Sequence, residues 1–215
     1  MEDSIDVILQ DQNTKFLHRP QDNHHLSMVL GGLLVGFYRL WTMFVQPGFR
    51  KVPIKLQVPY LPSSTIQTQN VMKLLEGRKG CLADLGSGDG RLVFAASSLG
   101  LQSTGFEINS ILLTYARSKA WWKGTPTYKA TFVNKDFWKT DLSKYNNVTI
   151  FLAPGVMEVL EKKLLAELPD GARVISCRFP FPHWPSACTE GAGLDQVWAY
   201  DINAVRRIAT QSLSI

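Results

Sequence analysis

A glycine-rich turn between an apolar strand and a helix constrains the fold of this chain more than any other feature. Apolar residues at 81–85 predict a buried strand, and the helical spacing of apolar residues at 91–99 predicts a helix. The turn between them reads Asp84-Leu85-Gly86-Ser87-Gly88-Asp89-Gly90. Because glycine has no Cβ atom, such a turn lets the backbone approach a ligand closely. The pattern predicts a ligand-binding loop, and the alternative is a tight strand-to-helix connection without a ligand.

Strand and helix patterns alternate through the rest of residues 63–205. A helix capped by Ser63 or Ser64 is expected before the first strand. Further strands are predicted at 103–107, 131–133, 148–152, 173–177 and, near the sheet edge, 194–200; further helices are predicted at 111–122 and 156–168. Strands that alternate with helices indicate an α/β domain with a doubly wound, mostly parallel sheet.

Outside this domain the composition changes from one segment to the next. We predict a polar mobile tail at 1–25, a hydrophobic segment at 26–46, an extended proline-containing arm at 47–62 and a C-terminal tail at 206–215. Prolines recur too often in the arm for it to form a long helix.

The hydrophobic segment is about as long as the roughly twenty residues that a helix needs to cross a bilayer. Arg39 is its only charge, and an arginine near the end of such a helix can extend to the interface. We expect the segment to insert into or anchor on a membrane; the alternative is a buried helix docked on the domain. Arg50, Lys51 and Lys55 follow it directly, so the domain is expected on the cytosolic or matrix side.

Charge and cysteine content exclude some functions and permit others. The net charge of +5 comes from acids and bases that mix along the globular part, so a nucleic-acid surface is permitted but not required. Cys81, Cys177 and Cys188 are too few and too scattered for a disulfide framework, and no paired Cys/His spacing predicts a zinc site. We therefore expect a reducing compartment and no metal.

Two acids are placed to complete a cofactor site. Asp84 precedes the first glycine of the turn, where its carboxylate can accept from turn amides or lie near a cationic amino group. Glu107 ends the second predicted strand, where a carboxylate can bind both hydroxyls of a ribose. The glycine spacing is G-x-G-x-G rather than the G-x-G-x-x-G of dinucleotide-binding folds, which disfavours a nicotinamide-dependent oxidoreductase.

These features resemble a known superfamily. The run Asp84–Gly90 resembles motif I of the seven-strand S-adenosylmethionine methyltransferases, and Glu107 resembles their ribose-binding acid. Lys135–Trp138 is similar in position to the segment after their third strand, whose acid, here Asp136, often contacts the adenine amino group. The resemblance implies a seven-strand Rossmann-like fold and S-adenosyl-L-methionine as the cofactor. The cofactor-binding residues that it implies are Asp84, Gly86, Ser87, Gly88, Gly90, Glu107 and Asp136.

Five further motifs give a closer resemblance, which covers nearly everything after the hydrophobic segment. They lie at 46–53, 56–60, 151–154, 177–184 and 197–201. Together they resemble the small family of mitochondrial protein-lysine methyltransferases. The resemblance implies an inner-membrane location, a domain that faces the matrix, and a membrane-embedded protein substrate. Within that family the adenine nucleotide translocase is the favoured substrate, the c subunit of ATP synthase is the alternative, and no nucleic acid is expected as a partner.

Methyl transfer to a lysine amine requires alignment and a dry, aromatic-walled pocket more than a dedicated nucleophile. Candidate pocket residues are Tyr60, Trp138, Phe179 and Trp184, and the alternative for each is packing in the core or against the sheet. Carbonyl oxygens of the turn at Ala153 and Pro154 can orient the amine. His183 is a possible base, but without a neighbouring acid in the sequence a structural role is favoured. Two other functions stay open: a small-molecule methyltransferase and a membrane-anchored assembly factor that binds the cofactor without catalysis.

Overall fold

The structure is a computed structural model that describes residues 24–40 and 62–212. Numbered in chain order, its strands are β1 Cys81–Leu85, β2 Gln102–Phe106, β3 Ala130–Val133, β4 Asn147–Ile150, β5 Arg173–Cys177, β6 Cys188–Glu190 and β7 Val197–Asp201. Its helices are α1 His24–Leu40, α2 Thr65–Leu75, α3 Arg91–Ser98, α4 Ser110–Trp122, α5 Pro154–Glu167 and α6 Ile202–Ser212. Short 3₁₀ turns span Phe137–Lys139 and Gly193–Asp195.

The strands form one seven-stranded sheet in the order β3-β2-β1-β4-β5-β7-β6. Strands β1 to β5 pair in parallel, and β7 runs antiparallel to both β5 and β6. The predicted doubly wound, mostly parallel sheet is confirmed. From the adjacent pair β1 and β4 the chain winds outward in opposite directions, and sheets of this kind bind ligands at the carboxyl ends of the strands beside that point.

The edge strand β6 was not predicted from the sequence pattern. It is only three residues long, and none of them is buried, so no alternation of apolar and polar residues marks it. Its pairing with β7 puts the predicted late strand second from the edge of the sheet. Short polar strands are common at sheet edges because a long apolar edge invites pairing with other chains.

Apolar layers cover both faces of the sheet. Helices α2, α3 and α4 pack on one face through residues such as Val71, Leu92 and Leu113. Helices α5 and α6 pack on the other face through residues such as Leu160 and Ile202. The connection between β3 and β4 contains a 3₁₀ turn in place of an α-helix, so no crossover helix lies over β2 and β3 on that second face.

Side-chain caps determine where two helices of the first layer begin. The hydroxyl of Ser64 accepts a hydrogen bond of 2.9 Å from the N–H of Gln67, so Ser64 is the N-cap of α2, one of the two predicted candidates. The side-chain carbonyl of Asn109 accepts from the N–H groups of Ile111 and Leu112 and caps α4. Both caps satisfy amide groups that would otherwise lack a partner in the first helical turn.

Helix α1 belongs to a separate unit of the chain, residues 1–43, and overlaps the predicted hydrophobic segment. The large apolar side chains that the structure describes in this helix are each more than half exposed; they are Met28, Val29, Leu30, Leu33, Leu34, Val35 and Tyr38. No helix within 24–40 or 62–212 is both long enough and apolar enough to cross a membrane. Residues 1–23 of the predicted tail, residues 41–46 of the predicted hydrophobic segment and residues 47–61 of the predicted arm lie outside the described residues.

Helix α6 includes residues 206–212, which the sequence analysis assigned to a C-terminal tail. Its first residues, Ile202 and Val205, are buried in the core that α5 shares. The guanidinium of Arg206 donates to the carbonyl oxygens of Leu165 and Leu168, at 2.6 and 2.7 Å. The start of α6 is thereby fastened to the end of α5.

The burial of α5 predicts a contrast between two neighbouring residues. Leu160→Ala removes a side chain with no exposed surface, so we expect the free energy of unfolding to fall by about 2–5 kcal/mol. Val159→Ala shortens a side chain that is 59% exposed, so we expect a change within about 0.5 kcal/mol. Urea denaturation followed by circular dichroism measures both. Equal losses in the two variants would show that α5 does not pack by this face.

Candidate active site

The glycine-rich loop is held by the end of the neighbouring strand β2. The N–H groups of Gly86 and Ser87 both donate to the carbonyl oxygen of Phe106, at 3.0 and 2.9 Å. Gly86, Gly88 and Gly90 all have positive φ, at 83°, 53° and 79°. A Cβ atom on Gly90 would also lie 2.5 Å from the ring of Phe132. Both the backbone conformation and the lack of space therefore exclude a side chain at this position. The predicted loop is therefore a rigid turn that faces the carboxyl ends of β1 and β2.

Glu107 links this loop to the start of α4. One carboxylate oxygen accepts from the N–H of Gly88 at 2.9 Å, and the other accepts from the N–H of Asn109 at 2.7 Å. Burial raises the pKa of Glu107, and the hydrogen bonds from these backbone groups oppose that rise. A carboxylate has about four acceptor positions, so these two bonds leave capacity for hydroxyl donors such as those of a ribose.

Asp84 is a second buried acid beside the loop. It is 3% exposed, and its carboxylate accepts from the hydroxyl of Thr149 on β4 at 2.8 Å. Burial raises the pKa of Asp84 to about 7, and the nearby charges of Glu107 and Asp89 also raise it, against the lowering by Thr149. Asp84 and Glu107 are both buried, and their charges repel each other. A nearby cation would therefore stabilise their ionised forms.

Asp89 differs from these two acids because cations already neutralise it. Its carboxylate pairs with Arg91 at 2.9 Å and with Lys119 of α4 at 3.5 Å. Burial raises the pKa of Asp89, but the hydrogen bonds and charge of Arg91 and the charge of Lys119 outweigh it and bring the pKa below its usual value. Arg91 also donates to the carbonyl oxygen of Ser63, which ties the loop to the beginning of α2.

Ser87, a predicted cofactor-binding residue, directs its side chain into the domain. Its hydroxyl is buried, and no hydrogen-bond partner lies near it in the part of the chain that the structure describes. A Cβ atom on Gly105 would come within 2.6 Å of that oxygen, so Gly105 makes room for the hydroxyl. The serine thus presents a buried, unsatisfied polar atom directly below the loop.

Asp136 lies beyond the end of β3, where the sequence analysis placed it. Its carboxylate accepts from the N–H of Trp138 at 3.0 Å and caps the 3₁₀ turn. An open cleft of about 810 Å³ adjoins it. The cleft is lined by Thr104, Phe106, Thr131, Val133, Lys135, Asp136, Lys139, Thr140, Asp141, Lys144 and Tyr145. It follows the part of β2 and β3 that no crossover helix covers.

The turn after β4 approaches the glycine-rich loop from the other side. Ala153 is the N-cap of α5 without a side-chain hydrogen bond, and Pro154 occupies the first turn. The Leu152 side chain comes within 3.3 Å of where a Cβ atom on Gly86 would lie. The predicted turn at Ala153 and Pro154 therefore adjoins the loop, although no contact within the turn defines a lysine site.

The aromatic candidates occupy different environments. Trp138 is half-buried and stacks beside Phe137, with ring centroids 4.9 Å apart. Phe179 is half-buried in the loop after β5, whereas Trp184 is only 6% exposed and packs in the core against Phe181, at a centroid distance of 4.4 Å. Trp184 thus packs in the core, which is the alternative that the sequence left open for it. Tyr60 lies outside the described residues.

His183 has an acidic neighbour that the sequence did not reveal. Its Nδ1 atom lies 2.8 Å from one oxygen of Glu161, and its backbone N–H donates to the other oxygen at 2.9 Å. Glu161 belongs to α5 and is 5% exposed, while the side chain of His183 is 66% exposed. The acid falls in the middle of a predicted helix, far from His183 in sequence, so no local pattern could connect the two.

A solved structure supports the ligand class that this geometry suggests. The chain resembles the crystal structure of an RNA methyltransferase from Salinibacter ruber in complex with S-adenosyl-L-homocysteine, with a TM-score of 0.62 and 30% sequence identity. The match covers 66% of this chain and 94% of the other. The fold is that of the S-adenosylmethionine methyltransferases, and the cofactor is S-adenosyl-L-methionine.

The residues present fit this cofactor. The loop of Gly86, Gly88 and Gly90 is a cradle that side chains would fill, and the carboxylates of Asp84 and Glu107 are suited to a ligand with cationic groups and hydroxyls. When bound, S-adenosyl-L-methionine supplies a methyl group on a sulfonium. Asp84, the loop and Glu107 would hold it, together with Asp136 next to the cleft.

Removing the charge of Glu107 is expected to weaken cofactor binding. The amide of Glu107→Gln has one acceptor oxygen and cannot serve both Gly88 and Asn109, so the loop loses a charge-assisted hydrogen bond. We expect the dissociation constant for S-adenosyl-L-homocysteine to rise about 10- to 100-fold. Calorimetric titration measures it, with Glu158→Gln on the exposed side of α5 as the matched control. An unchanged constant would remove Glu107 from the cofactor site.

Asp84 is expected to make the stability of the ligand-free domain depend on pH. Its folded pKa of about 7 lies above the unfolded value of about 3.9, so the folded state binds more protons between these two values. The free energy of unfolding, taken relative to Asp84→Asn, should fall by up to about 1.4 kcal/mol per unit as the pH rises through this window. Above pH 7 it should level off. Urea denaturation at several pH values tests this, and a pH-independent difference would contradict it.

Sequence comparisons agree with the fold and extend the assignment. A family profile described as the ANTKMT methyltransferase domain matches residues 84–188, and one described as the ANTKMT N-terminal domain matches residues 19–53. The lysine N-methyltransferase of the ATP synthase c subunit from Rattus norvegicus is 48% identical over 181 residues, 84% of this chain and 82% of the relative. The adenine nucleotide translocase lysine N-methyltransferase of Mus musculus is 50% identical over 167 residues, 77% of this chain and 72% of the relative. This chain therefore belongs to the ANTKMT family and is a protein-lysine N-methyltransferase.

Proposed function

We propose that this enzyme methylates a lysine of a mitochondrial inner-membrane protein, with the adenine nucleotide translocase as the favoured substrate. The observation that carries the proposal is helix α1, in which every large apolar side chain that the structure describes is more than half exposed, in a chain that also holds a cofactor-binding domain. An apolar helix surface of this kind is stable in lipid or against another protein, not in water. It supports an enzyme that works at a membrane. The expected location is the inner membrane, with the domain facing the matrix.

The residues of the site define what the domain contributes to methyl transfer. Gly88 and Asn109 hold the Glu107 carboxylate in place, and this fixes the loop that would bind the cofactor. The turn at Ala153 and Pro154 lies against the same loop and remains half or fully exposed. A lysine amine that enters there must lose a proton, since its usual pKa is about 10.4, and a desolvated position beside a positive charge favours the neutral amine.

Short connections leave the carboxyl ends of the central strands open to solvent. The segment between β4 and α5 has only three residues, and α5 then runs away from the loop. An open edge accommodates a protein segment more readily than a small molecule, which would need to be enclosed by a lid. The lysine of a folded, membrane-embedded protein can be presented to such an edge from a projecting loop.

The c subunit of ATP synthase is a second candidate substrate. The relative named for that substrate aligns with 84% of this chain, and the relative named for the translocase aligns with 77%, at similar identity. The motif at 46–53 and that at 56–60 favour the translocase, as read from the sequence. A direct comparison of methyl transfer to the two proteins distinguishes these candidates.

The proposal predicts which membrane protein accepts the methyl group. We expect the full chain, given labelled S-adenosyl-L-methionine, to label the reconstituted translocase on a lysine and to label the reconstituted c ring at least about tenfold more slowly, a preference of about 1.4 kcal/mol. Peptide mass spectrometry identifies the lysine. Glu107→Gln, which is expected to bind the cofactor more weakly, is the control and should label either protein more slowly at a limiting cofactor concentration. Faster labelling of the c ring would select the second candidate. Label on neither protein, with cofactor binding intact, would refute both.

A further inference from the structure

Helix α4 presents aromatic side chains to solvent on the side opposite its buried face. Leu113 and Ala116 pack into the domain and are 3% and 0% exposed. On the outer side, Tyr115 is 54% exposed, Trp121 is 77% exposed and Trp122 is 81% exposed. Indole rings are seldom left so exposed in a soluble domain, since each buries roughly 150–250 Å² when it finds a partner. The outer face of α4 therefore has the character of a binding surface.

This surface has an ordered framework. The N–H of Gly124 donates to the carbonyl of Trp121 at 3.0 Å, and the N–H of Thr125 donates to that of Ala120 at 3.0 Å, which closes the end of the helix. The rings of Trp121 and Trp122 meet edge to face, with centroids 5.8 Å apart. The following turn presents a third aromatic residue, Tyr128, which is 70% exposed. The exposed rings lie on a defined helix end and turn.

The charged residues in this segment of the sequence all have the same sign. Between Glu107 and Asp136 the sequence contains five cations and no carboxylate; the cations are Arg117, Lys119, Lys123, Lys129 and Lys135. Lys119 is already paired with Asp89, and Arg117 donates to the carbonyl of Phe132. Lys123 and Lys129 flank the tryptophans and the turn. Both are exposed, and the ammonium of Lys123 also lies 5.3 Å from the centroid of the Phe94 ring.

We propose that this surface, formed by Tyr115, Trp121, Trp122 and Tyr128 with Lys123 and Lys129, docks on the anionic face of a lipid bilayer. Tryptophan and tyrosine concentrate at the membrane–water interface because their rings are apolar and their N–H and O–H groups stay hydrated. Nearby lysines add attraction to anionic headgroups. The outer side of a helix is convex, and a bilayer can deform around a convex surface, whereas a peptide or stacked bases bind more readily in a groove.

Docking through α4 would also orient the enzyme. The helix begins at Ser110, shortly after Glu107, so one end of it belongs to the cofactor site. With α4 lying along the interface, the carboxyl ends of the strands are held beside the bilayer. A loop of a membrane-embedded protein can reach them there. This orienting role rests on the proposed membrane substrate, whereas the lipid contact itself does not.

The test measures binding of the full chain to vesicles of phosphatidylcholine, with and without phosphatidylglycerol. Trp121→Ala/Trp122→Ala should raise the dissociation constant for anionic vesicles by at least about tenfold. Lys123→Glu/Lys129→Glu should abolish the preference for anionic lipid. Val159→Ala/Leu194→Ala, which shortens side chains that are 59% and 68% exposed elsewhere on the domain, is the matched control and should bind like the unchanged chain. All variants are also made with Leu33→Asn/Leu34→Asn, so that lipid binding by α1 does not mask the difference.

Several outcomes would overturn the proposal. If both α4 variants bind vesicles like the unchanged chain, with and without Leu33→Asn/Leu34→Asn, then α4 does not contact lipid. If the unchanged chain bound a single-stranded RNA oligonucleotide and the two α4 variants lost that binding while they still bound vesicles, the surface would belong to nucleic acid instead. Vesicle binding needs no turnover, so its failure is separate from failure of lysine methylation. Methylation of a soluble lysine peptide should be unchanged in the tryptophan variant, because neither ring belongs to the cofactor site.

Discussion

The bonds between the Glu107 carboxylate and two backbone amides hold the cofactor site together. One bond joins it to Gly88 in the glycine-rich loop, and the other joins it to Asn109, which caps α4. The carbonyl of Phe106, one residue earlier, accepts both N–H groups at the start of the loop. The loop after β1 therefore takes its shape from the end of β2 as much as from its own glycines. Any change that moves β2 would change the loop with it.

The buried acids of the site favour the binding of a cationic ligand, but they destabilise the folded protein when no ligand is bound. Asp84 and Glu107 are buried close together, and burial raises the pKa of each. Without a cation this arrangement is unfavourable, and a cationic ligand relieves it. Asp89 shows the contrast, since Arg91 and Lys119 already compensate its charge. The domain thus leaves Asp84 and Glu107 to a ligand with cationic groups and hydroxyls, and neutralises Asp89 with its own side chains.

One helix connects the cofactor site with the outer surface. The beginning of α4 is fixed by Asn109 next to Glu107, its inner side packs through Leu113 and Ala116, and its far end carries the exposed indole rings of Trp121 and Trp122. A rigid helix of this kind can transmit an orientation, because its two ends cannot move independently. Helix α1 presents a second apolar surface from a separate unit of the chain.

The sequence by itself determined the alternation of helices and strands from α2 to β5, the glycine-rich loop and the acid at Glu107. Each of these depends on the periodicity or turn chemistry of a short run of neighbouring residues. Only the tertiary structure decided that Glu161 pairs with His183, that Trp184 belongs to the core, and that β6 forms the edge of the sheet. It also decided which side of α4 faces water. These outcomes depend on contacts between residues far apart in the chain, where no local pattern carries the information.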